Sequence, residues 1–330
     1  MKNNKSVQFP PVSVIIPMKN SETTILVTLE SIKKQKYPIR EVIIIDNVST
    51  DNSIALVQKY SKKSKIPMTL IKRNKNKGVG ASYNLGAKKA KSEFIVFMHS
   101  DSSLKNSNEL EKLIKPLLSN KNVVAAYSTI INPQSIWETY NFWQKCLFAR
   151  AVGKQGPGLN SKFDCLRRDV FLKIGGFDDV NFGEDIDIGG EDGDLHYRLL
   201  EIGEVVLSQA KVIHLHYLGK NYKISDWIKN RKLLSKTYGR IIRVQAKKLP
   251  LGALVFVIKP TLALLPFLPK LHIIGIALLF VYAFWYTKKM FTSSLTLQDP
   301  RIVLLPFLNI FLIYYETFWM LDGLLFIRKE

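Results

Sequence analysis

The stretches VSVIIPMKN at residues 12–20 and EVIIIDNVSTDNS at 41–53 decide the fold. In each, a short apolar run (Val12 to Ile16, then the strand Glu41 to Ile45) stops abruptly at polar residues. An alternating strand keeps one face wet, whereas a continuous apolar run is a strand covered on both faces, as in a parallel sheet. Between them, Ser21 to Gln35 sets Ile25, Leu29 and Ile32 at helical spacing behind Ser21 as N-cap. The alternation continues outward. Thr50 to Tyr60 and Gly80 to Lys89 read as helices, and Met68 to Ile71 and Phe94 to Met98 as strands. The order βαβαβαβ predicts an α/β domain with a mostly parallel, Rossmann-like sheet flanked by helices. Further strands are expected at Asn122 to Ile131 and Val205 to Leu215, and a helix start within Asp185 to Leu200. Ile136 to Val152 is helical and rich in aromatic residues, suited equally to core packing and to an acceptor site or membrane surface.

In open α/β sheets, ligands bind beyond the carboxyl ends of the strands. Those ends carry Pro17-Met18-Lys19-Asn20, Asp46-Asn47 and His99-Ser100-Asp101. A carboxylate and an amide at a strand end can hold a ribose or base edge, although an Asx-turn explains Asp46-Asn47 as well. Asp101 can share a Mg²⁺ or Mn²⁺ ion with a diphosphate, because such ions take oxygen ligands from both. In GGEDGDLHYRLLEIG (189–203), Glu191, Asp192 and Asp194 precede an amphipathic helix. The helix dipole favours acids there, and a carboxylate so placed can also act as general base toward an acceptor hydroxyl. His214 and His216 alternate along a strand end, so both rings can face one metal, or both can be ordinary packed histidines. Neither GxGxxG nor GxxxxGK[ST] occurs, which disfavours dinucleotide and P-loop sites.

The formal net charge of +21 calls for an anionic partner. With an apolar C-terminal third and no DNA-reading pattern, membrane lipids fit that role and nucleic acid does not. Cys146 and Cys165 form no CxxC pair and read as reduced thiols. The opening MKNNKSVQFPP has no apolar core, so the catalytic part is expected in the cytoplasm. Trp227 to Lys248 carries eight Lys and Arg among apolar residues and reads as an amphipathic interface helix with its basic face toward headgroups. Beyond it, Leu251 to Leu268, Leu271 to Tyr286 and Ile302 to Ile327 are apolar. The last two are expected to span a membrane, giving a multi-pass cell-membrane protein with two or three transmembrane helices. The expected organisation is therefore a catalytic domain over 1–222, an interface helix over 223–250 and a membrane domain over 251–330.

Five pieces in order resemble the family 2 glycosyltransferases, which have the GT-A fold. They are VSVIIPMKN, EVIIIDNVSTDNS, NKGVGASYNLGAKKAKSEFIVFMHSDSS, CLRRDVFLKIGGFDD and GGEDGDLHYRLLEIG. The chain is similar to membrane-bound members such as dolichol-phosphate mannosyltransferases and minimal cellulose-synthase-like enzymes. The resemblance implies that Pro17, Lys19, Asp46 and Asn47 line the nucleotide pocket, with Gly78 and Asn84 near it and Asn20, His99 and Ser100 on the same loops. It makes Asp101 the metal-binding acid of the DxD motif, with His214 or His216 completing the shell. Asp192 is then the catalytic base, with Glu191 beside it, and Arg231 and Arg240 offset leaving-group charge from the interface helix. The chain departs from the pattern in that His99 stands for the first acid of DxD, Ser102 for the acid that often follows, and Tyr83 for an arginine. The implied function is inverting transfer from a GDP- or UDP-linked sugar to a lipid-linked acceptor, a polyprenyl phosphate or a lipid-linked saccharide. A processive polysaccharide synthase, a nucleotidyltransferase and a non-catalytic membrane scaffold are the alternatives, and self-association is a further option.

Overall fold

The computed structural model describes residues 9–150, 159–182, 189–215, 221–245 and 255–326. In chain order the elements are β1 (Val12–Met18), α1 (Ile25–Lys33), β2 (Ile39–Asp46), α2 (Ser53–Ser61), β3 (Met68–Lys72), α3 (Gly78–Lys89), β4 (Phe94–Met98), β5 (Ser102–Leu104), α4 (Glu109–Ser119) and β6 (Val123–Ile131). There follow α5 (Gln134–Thr139), α6 (Phe142–Phe148), β7 (Phe163–Arg167), α7 (Arg168–Lys173), α8 (Glu191–Leu200) and β8 (Glu204–His214). The chain then runs through α9 (Ile224–Gln245), α10 (Val255–Leu264), α11 (His272–Tyr286), α12 (Lys288–Thr292), α13 (Ser294–Leu297) and α14 (Leu305–Leu325).

Two compact units form. One comprises Met1–Ile131, Gln155–Asp185 and Glu191–Tyr217, the other Asn132–Lys154, Ile186–Gly190 and Leu218–Glu330. These units interleave along the chain, with Asn132–Lys154 grouped with the C-terminal helices, whereas the expected segments 1–222, 223–250 and 251–330 are contiguous. The aromatic helices α5 and α6 fall with the C-terminal helices, where Trp137, Tyr140 and Phe142 pack with Trp227, Met290, Leu305 and Leu312. Their aromatic side chains form core.

The first unit is an eight-stranded sheet of order β3-β2-β1-β4-β7-β6-β8-β5. β1, β2, β3 and β4 run parallel, β7 is antiparallel to β4 and β6, and β8 is parallel to β6. β1, β2 and β4 are buried on both faces, as expected, whereas β3, at the edge of the sheet, is only partly buried. Val14 and Ile16 of β1 pack in one cluster with Leu29 of α1 and Leu113 of α4. Ile15 points the other way, into a cluster with Tyr83 and Ala87 of α3 and Leu195 of α8. Each such fully buried side chain contributes about 1.5–3 kcal/mol, which fixes the register of the loops at the strand ends.

In the second unit, α9 and α14 touch backbone to backbone. A Cβ on Gly239 would lie 2.0 Å from the Met320 carbonyl oxygen, and one on Gly323 2.1 Å from that of Lys236. Glycine at both crossings permits the close approach. The basic residues of α9 are therefore not all turned outward. Arg231, Lys236 and Arg240 are buried. Arg231 Nε donates to Glu316 at 2.6 Å, Lys236 pairs with Asp322 at 3.4 Å, and Arg240 donates to the Phe326 carbonyl. The three polar residues that interrupt the last apolar stretch are accounted for in the same way: Asn309 donates to the Ala283 carbonyl at 2.7 Å and to Thr287.

The expectation of two or more spanning helices is not met. Among the described residues one helical stretch, Pro300–Leu325, is long and apolar enough to cross a membrane, by length and composition. α11 is only 15 residues, about 22 Å against a hydrocarbon core of about 30 Å.

Candidate active site

The loops after β1, β2 and β4 enclose a cleft of about 270 Å³, lined by Pro17, Lys19, Asn20, Asn47, Val79, His99, Ser100 and Asp101 among others. Among the described residues, three non-glycine residues adopt the left-handed conformation, and all stand in loops around the strand ends: Asn20 (φ 49°), Val48 (φ 63°) and Ser161 (φ 56°). Each costs about 1–2 kcal/mol, which is tolerated where surrounding bonds over-determine the backbone. Here the first two loops are laced together. Thr50 N donates to Asn20 Oδ1 at 2.8 Å, Asn20 N to Ser49 Oγ at 2.9 Å, and Ser21 N to Ser53 Oγ at 2.7 Å.

Asp46 is buried at the end of β2. Its Oδ2 accepts from Ser49 N at 3.2 Å, while Oδ1 is buried with no hydrogen-bond partner among the described residues. A buried acceptor left unmade costs about 1–3 kcal/mol, so Oδ1 fits an external donor such as a base imide N–H or a ribose hydroxyl. Asn47 is different. Its amide donates to Ser82 Oγ at 2.8 Å and to the Gly78 carbonyl at 3.3 Å, fastening the first turn of α3 to the strand end. Asn84 is likewise engaged by protein: its amide exchanges two 2.8 Å bonds with the backbone of Phe177. The neighbouring Gly176 has φ +73°, and a Cβ there would sit 2.3 Å from Asn84 Oδ1. Asn84 thus braces a loop.

Strand register builds the metal-type cluster. β5 begins one residue after Asp101 and pairs antiparallel with β8, Ser102 opposite His214. That pairing brings His214 Nε2 to 3.1 Å from Asp101 Oδ2, while His99 Nδ1 lies 3.8 Å from Asp101 Oδ1. The three ligand atoms lie within 4.8 Å of one another. Burial works against the Asp101 carboxylate, but the His214 hydrogen bond and nearby positive charge outweigh it and hold Asp101 well below the usual carboxylate range. Burial, helped by the Lys162 charge, pushes His99 down to about 3, and burial also lowers His214. The cluster is one anion and two neutral imidazoles, a donor set that fits a divalent cation. His216 lies outside the described residues.

Asp192 stands in the first turn of α8, with Ser161 Oγ donating to its Oδ1. Burial raises its pKa, and the Ser161 bond and the Lys162 charge oppose that rise. Ser161 is fixed from two sides. Tyr83, fully buried, donates its hydroxyl to the Ser161 carbonyl at 2.7 Å. Asp164 Oδ2 accepts from Asn160 N at 2.8 Å and Ser161 N at 2.5 Å. Burial, aided by Asp192 and partly offset by those bonds, pushes Asp164 up to about 7. Tyr83, where the sequence pattern has an arginine, is thus a pillar under the loop that carries Ser161. Glu191 packs over the start of α3, its Cγ 3.3 Å from where a Gly80 Cβ would be. Lys162 acts on His99, Asp101, Asp164, Asp192 and His214 alike, so the His99–Asp101–His214 cluster and Asp192 share one electrostatic basin.

Residues 13–175 match the family model described as Glycosyl transferase family 2. The chain belongs to this family. The chain is 37% identical over 91 residues to the poly(ribitol-phosphate) beta-N-acetylglucosaminyltransferase TarS of Staphylococcus aureus, covering 27% of this chain and 16% of TarS. It is 32% identical over 149 residues to WfgD of Escherichia coli, a UDP-Glc:alpha-D-GlcNAc-diphosphoundecaprenol beta-1,3-glucosyltransferase, covering 44% of this chain and 57% of WfgD. It therefore spans less than two thirds of these curated relatives. Among solved structures, the mannosyltransferase PcManGT from Pyrobaculum calidifontis, in complex with GDP-Man and Mn2+, superposes with a TM-score of 0.60 at 18% identity, covering 94% of this chain and 87% of that one. That likeness confirms the GT-A-like fold.

The expected site residues thus divide. Pro17, Lys19, Asn20, His99, Ser100 and Asp101 line the cleft, and His214 joins Asp101. Asn47, Gly78 and Asn84 build the walls, and Arg231 and Arg240 bind Glu316 and the Phe326 carbonyl in the helical unit. Sequence reasoning missed Ser161, Lys162 and Asp164. Lys162 is one of 48 Lys and Arg, and no local pattern marks it.

Proposed function

We propose that this glycosyltransferase moves a sugar from a nucleotide-sugar to a hydroxyl of a lipid-linked saccharide, with inversion. The observation that carries the reading is the base beside a metal-type cluster: Asp192, its pKa raised by burial, in one electrostatic basin with His99, Asp101 and His214. A base of raised pKa suits a neutral hydroxyl, which must lose a proton, better than a lipid phosphate that is already anionic. WfgD, whose acceptor is a diphosphoundecaprenol-linked sugar, supports the same choice.

Asp46 Oδ1 and the Pro17–Asn20 loop would hold the nucleoside. His99, Asp101 and His214 would hold a divalent cation, which supplies positive charge against the diphosphate leaving group. Two imidazoles and one carboxylate favour Mn²⁺ over Mg²⁺, since Mg²⁺ prefers all-oxygen shells. Asp192 takes the acceptor proton as the acceptor oxygen attacks the anomeric carbon. The bond from that carbon to the diphosphate oxygen breaks, and its electron pair leaves with the nucleoside diphosphate. Lys162 adds a fixed positive charge to the basin. Attachment through Pro300–Leu325 would keep the enzyme at the membrane that holds its acceptor, with the catalytic unit in the cytoplasm.

The test is to incubate membranes bearing the full chain with labelled UDP- and GDP-sugars and Mn²⁺, then extract lipids. Label should enter a lipid fraction, and Asp192→Asn should lower the rate by about 10²–10⁴-fold. Asp192→Asn turning over at the wild-type rate would remove the base assignment, and Asp101→Ala keeping metal-dependent activity would remove the cation site.

A further inference from the structure

The helical unit holds a cavity of about 160 Å³ whose lining includes Arg150, Tyr238, Lys259, Tyr282, Trp285 and Glu316. Its charges do not balance. Glu316 is buried, and its two carboxylate oxygens are both taken, one by Arg231 Nε at 2.6 Å and the other by Lys259 Nζ. Arg150 is left over. It is exposed, has no carboxylate partner among the described residues, and lies over the rings of Tyr286 (4.8 Å) and Trp285 (5.8 Å). Arg231 and Lys259 approach the same Tyr286 ring, at 5.2 and 5.0 Å. Three basic side chains therefore converge on one aromatic ring with a single carboxylate between them, and burial together with the Arg231 and Arg150 charges pushes Lys259 down to about 6. Like charges so close repel unless an anion joins them, and cation–π contacts recover only about 0.5–2 kcal/mol each. Tyr286 also has a hydroxyl that is buried without a hydrogen-bond partner among the described residues. The surroundings of the cavity are apolar. Ile258, Val281, Phe284 and Trp285 are each 45–65% exposed.

We propose that this cavity binds the phosphate group of a lipid, the phosphate meeting Arg150 and Lys259 and the hydrocarbon chain lying along the exposed apolar side chains. Charge supplies the first half: a phosphate brings the negative charge that Glu316 alone does not, and guanidinium binds it through paired N–H donors. The apolar rim supplies the second, because free phosphate gains nothing from it. The choice of a lipid as carrier agrees with the proposed lipid-linked acceptor, but the cationic excess stands without it.

The experiment uses the full chain in nanodiscs of neutral phosphatidylcholine and measures binding of a polyprenyl phosphate, the matching polyprenol and inorganic phosphate. Polyprenyl phosphate should bind at least tenfold more tightly than either of the others. Arg150→Gln, which removes an exposed side chain, should weaken it by about tenfold, the loss of one charge-assisted contact. Glu316→Gln should bind it more tightly, since it removes the competing carboxylate. A purely structural role for Glu316 predicts the opposite sign. Polyprenol binding as well as its phosphate, or affinity indifferent to both substitutions, overturns the proposal. Inorganic phosphate binding equally well overturns the lipid identity of the ligand. Because the readout is binding, a chain that transfers no sugar yet shows this pattern sinks only the acceptor reading.

Discussion

Ser161→Ala isolates the bond that tunes the proposed base, Asp192. In the folded protein burial pushes the Asp192 pKa up, while the Ser161 hydroxyl and the Lys162 charge pull it down. In the proposed mechanism the rate depends on ionised Asp192, so the acid limb of the pH–rate profile follows this pKa and the rate climbs as pH rises through it. A hydrogen bond to an ionised group is worth about 1.5–3 kcal/mol, and about 1.36 kcal/mol corresponds to a factor of ten in a protonation equilibrium. Removing the hydroxyl should therefore carry the limb to higher pH, by roughly one to two on the pH scale. At a fixed pH below the limb, transfer by the variant should be slower by about 10- to 100-fold, and well above it the variant should return toward the wild-type rate. The assay is lipid-label incorporation at saturating donor across pH, fitted for limb position and plateau. An unmoved limb with a uniformly lower plateau would refute the reasoning, because it would mean that Ser161 only holds shape.

Three further outcomes follow from the geometry. Gly239→Ala pushes a methyl into the Met320 carbonyl, backbone against backbone, and should lower stability by about 1–3 kcal/mol, seen as a drop in Tm, while Ala at the solvent-exposed Gln58 should not. Asp164 is raised to about 7 from an ordinary 3.8, so the folded state holds its proton where the unfolded chain has lost it. Its contribution is complete below about pH 4 and is lost as pH rises through 7, at up to about 1.4 kcal/mol per pH unit. Denaturant unfolding of Asp164→Asn should show a flatter decline over that window. Chelation of the wild type should abolish transfer, and Mn²⁺ should restore it better than Mg²⁺ at equal concentration; equal rescue would count against the imidazole-rich donor set.

β1, β2 and β4 were legible because burial on both faces demands unbroken apolar runs, and these strands are buried almost throughout; β3, half-exposed at the sheet edge, was legible from its short apolar run alone. β5 was not, since Ser102–Leu104 is a strand only through its pairing with β8. α4 was missed although Leu110, Leu113, Ile114 and Leu117 keep helical spacing and bury together, with Pro116 inside the pattern obscuring it. Asp101, Asp192 and His214 were readable at element ends, where polar residues interrupt an apolar pattern. Ser161 and Asp164 were not, because their meaning lies in partners: Ser161 meets Asp192, 31 residues on, through a backbone conformation that no side chain announces. The same holds for the helical unit. Composition shows basic residues on α9, but not that Arg231 faces Glu316, 85 positions later, or that α11 stops at 15 residues.

The histidine in place of the first DxD acid is better understood as an exchange than as decay. Two acids at 99 and 101 would repel each other, and a metal would be needed to hold both charged. With His99 and His214 held neutral by burial, Asp101 keeps its charge through the His214 bond and the Lys162 field, so one full anion faces the cation position in advance. Fewer negative charges mean weaker Coulomb attraction for any cation, and imidazole nitrogen restores affinity selectively for ions that accept nitrogen ligands. The same exchange leaves less negative charge to repel an incoming diphosphate. The serine bonded to Asp192 is held in a left-handed conformation that costs about 1–2 kcal/mol, and strain of this kind concentrates at functional sites, which favours exchange over decay.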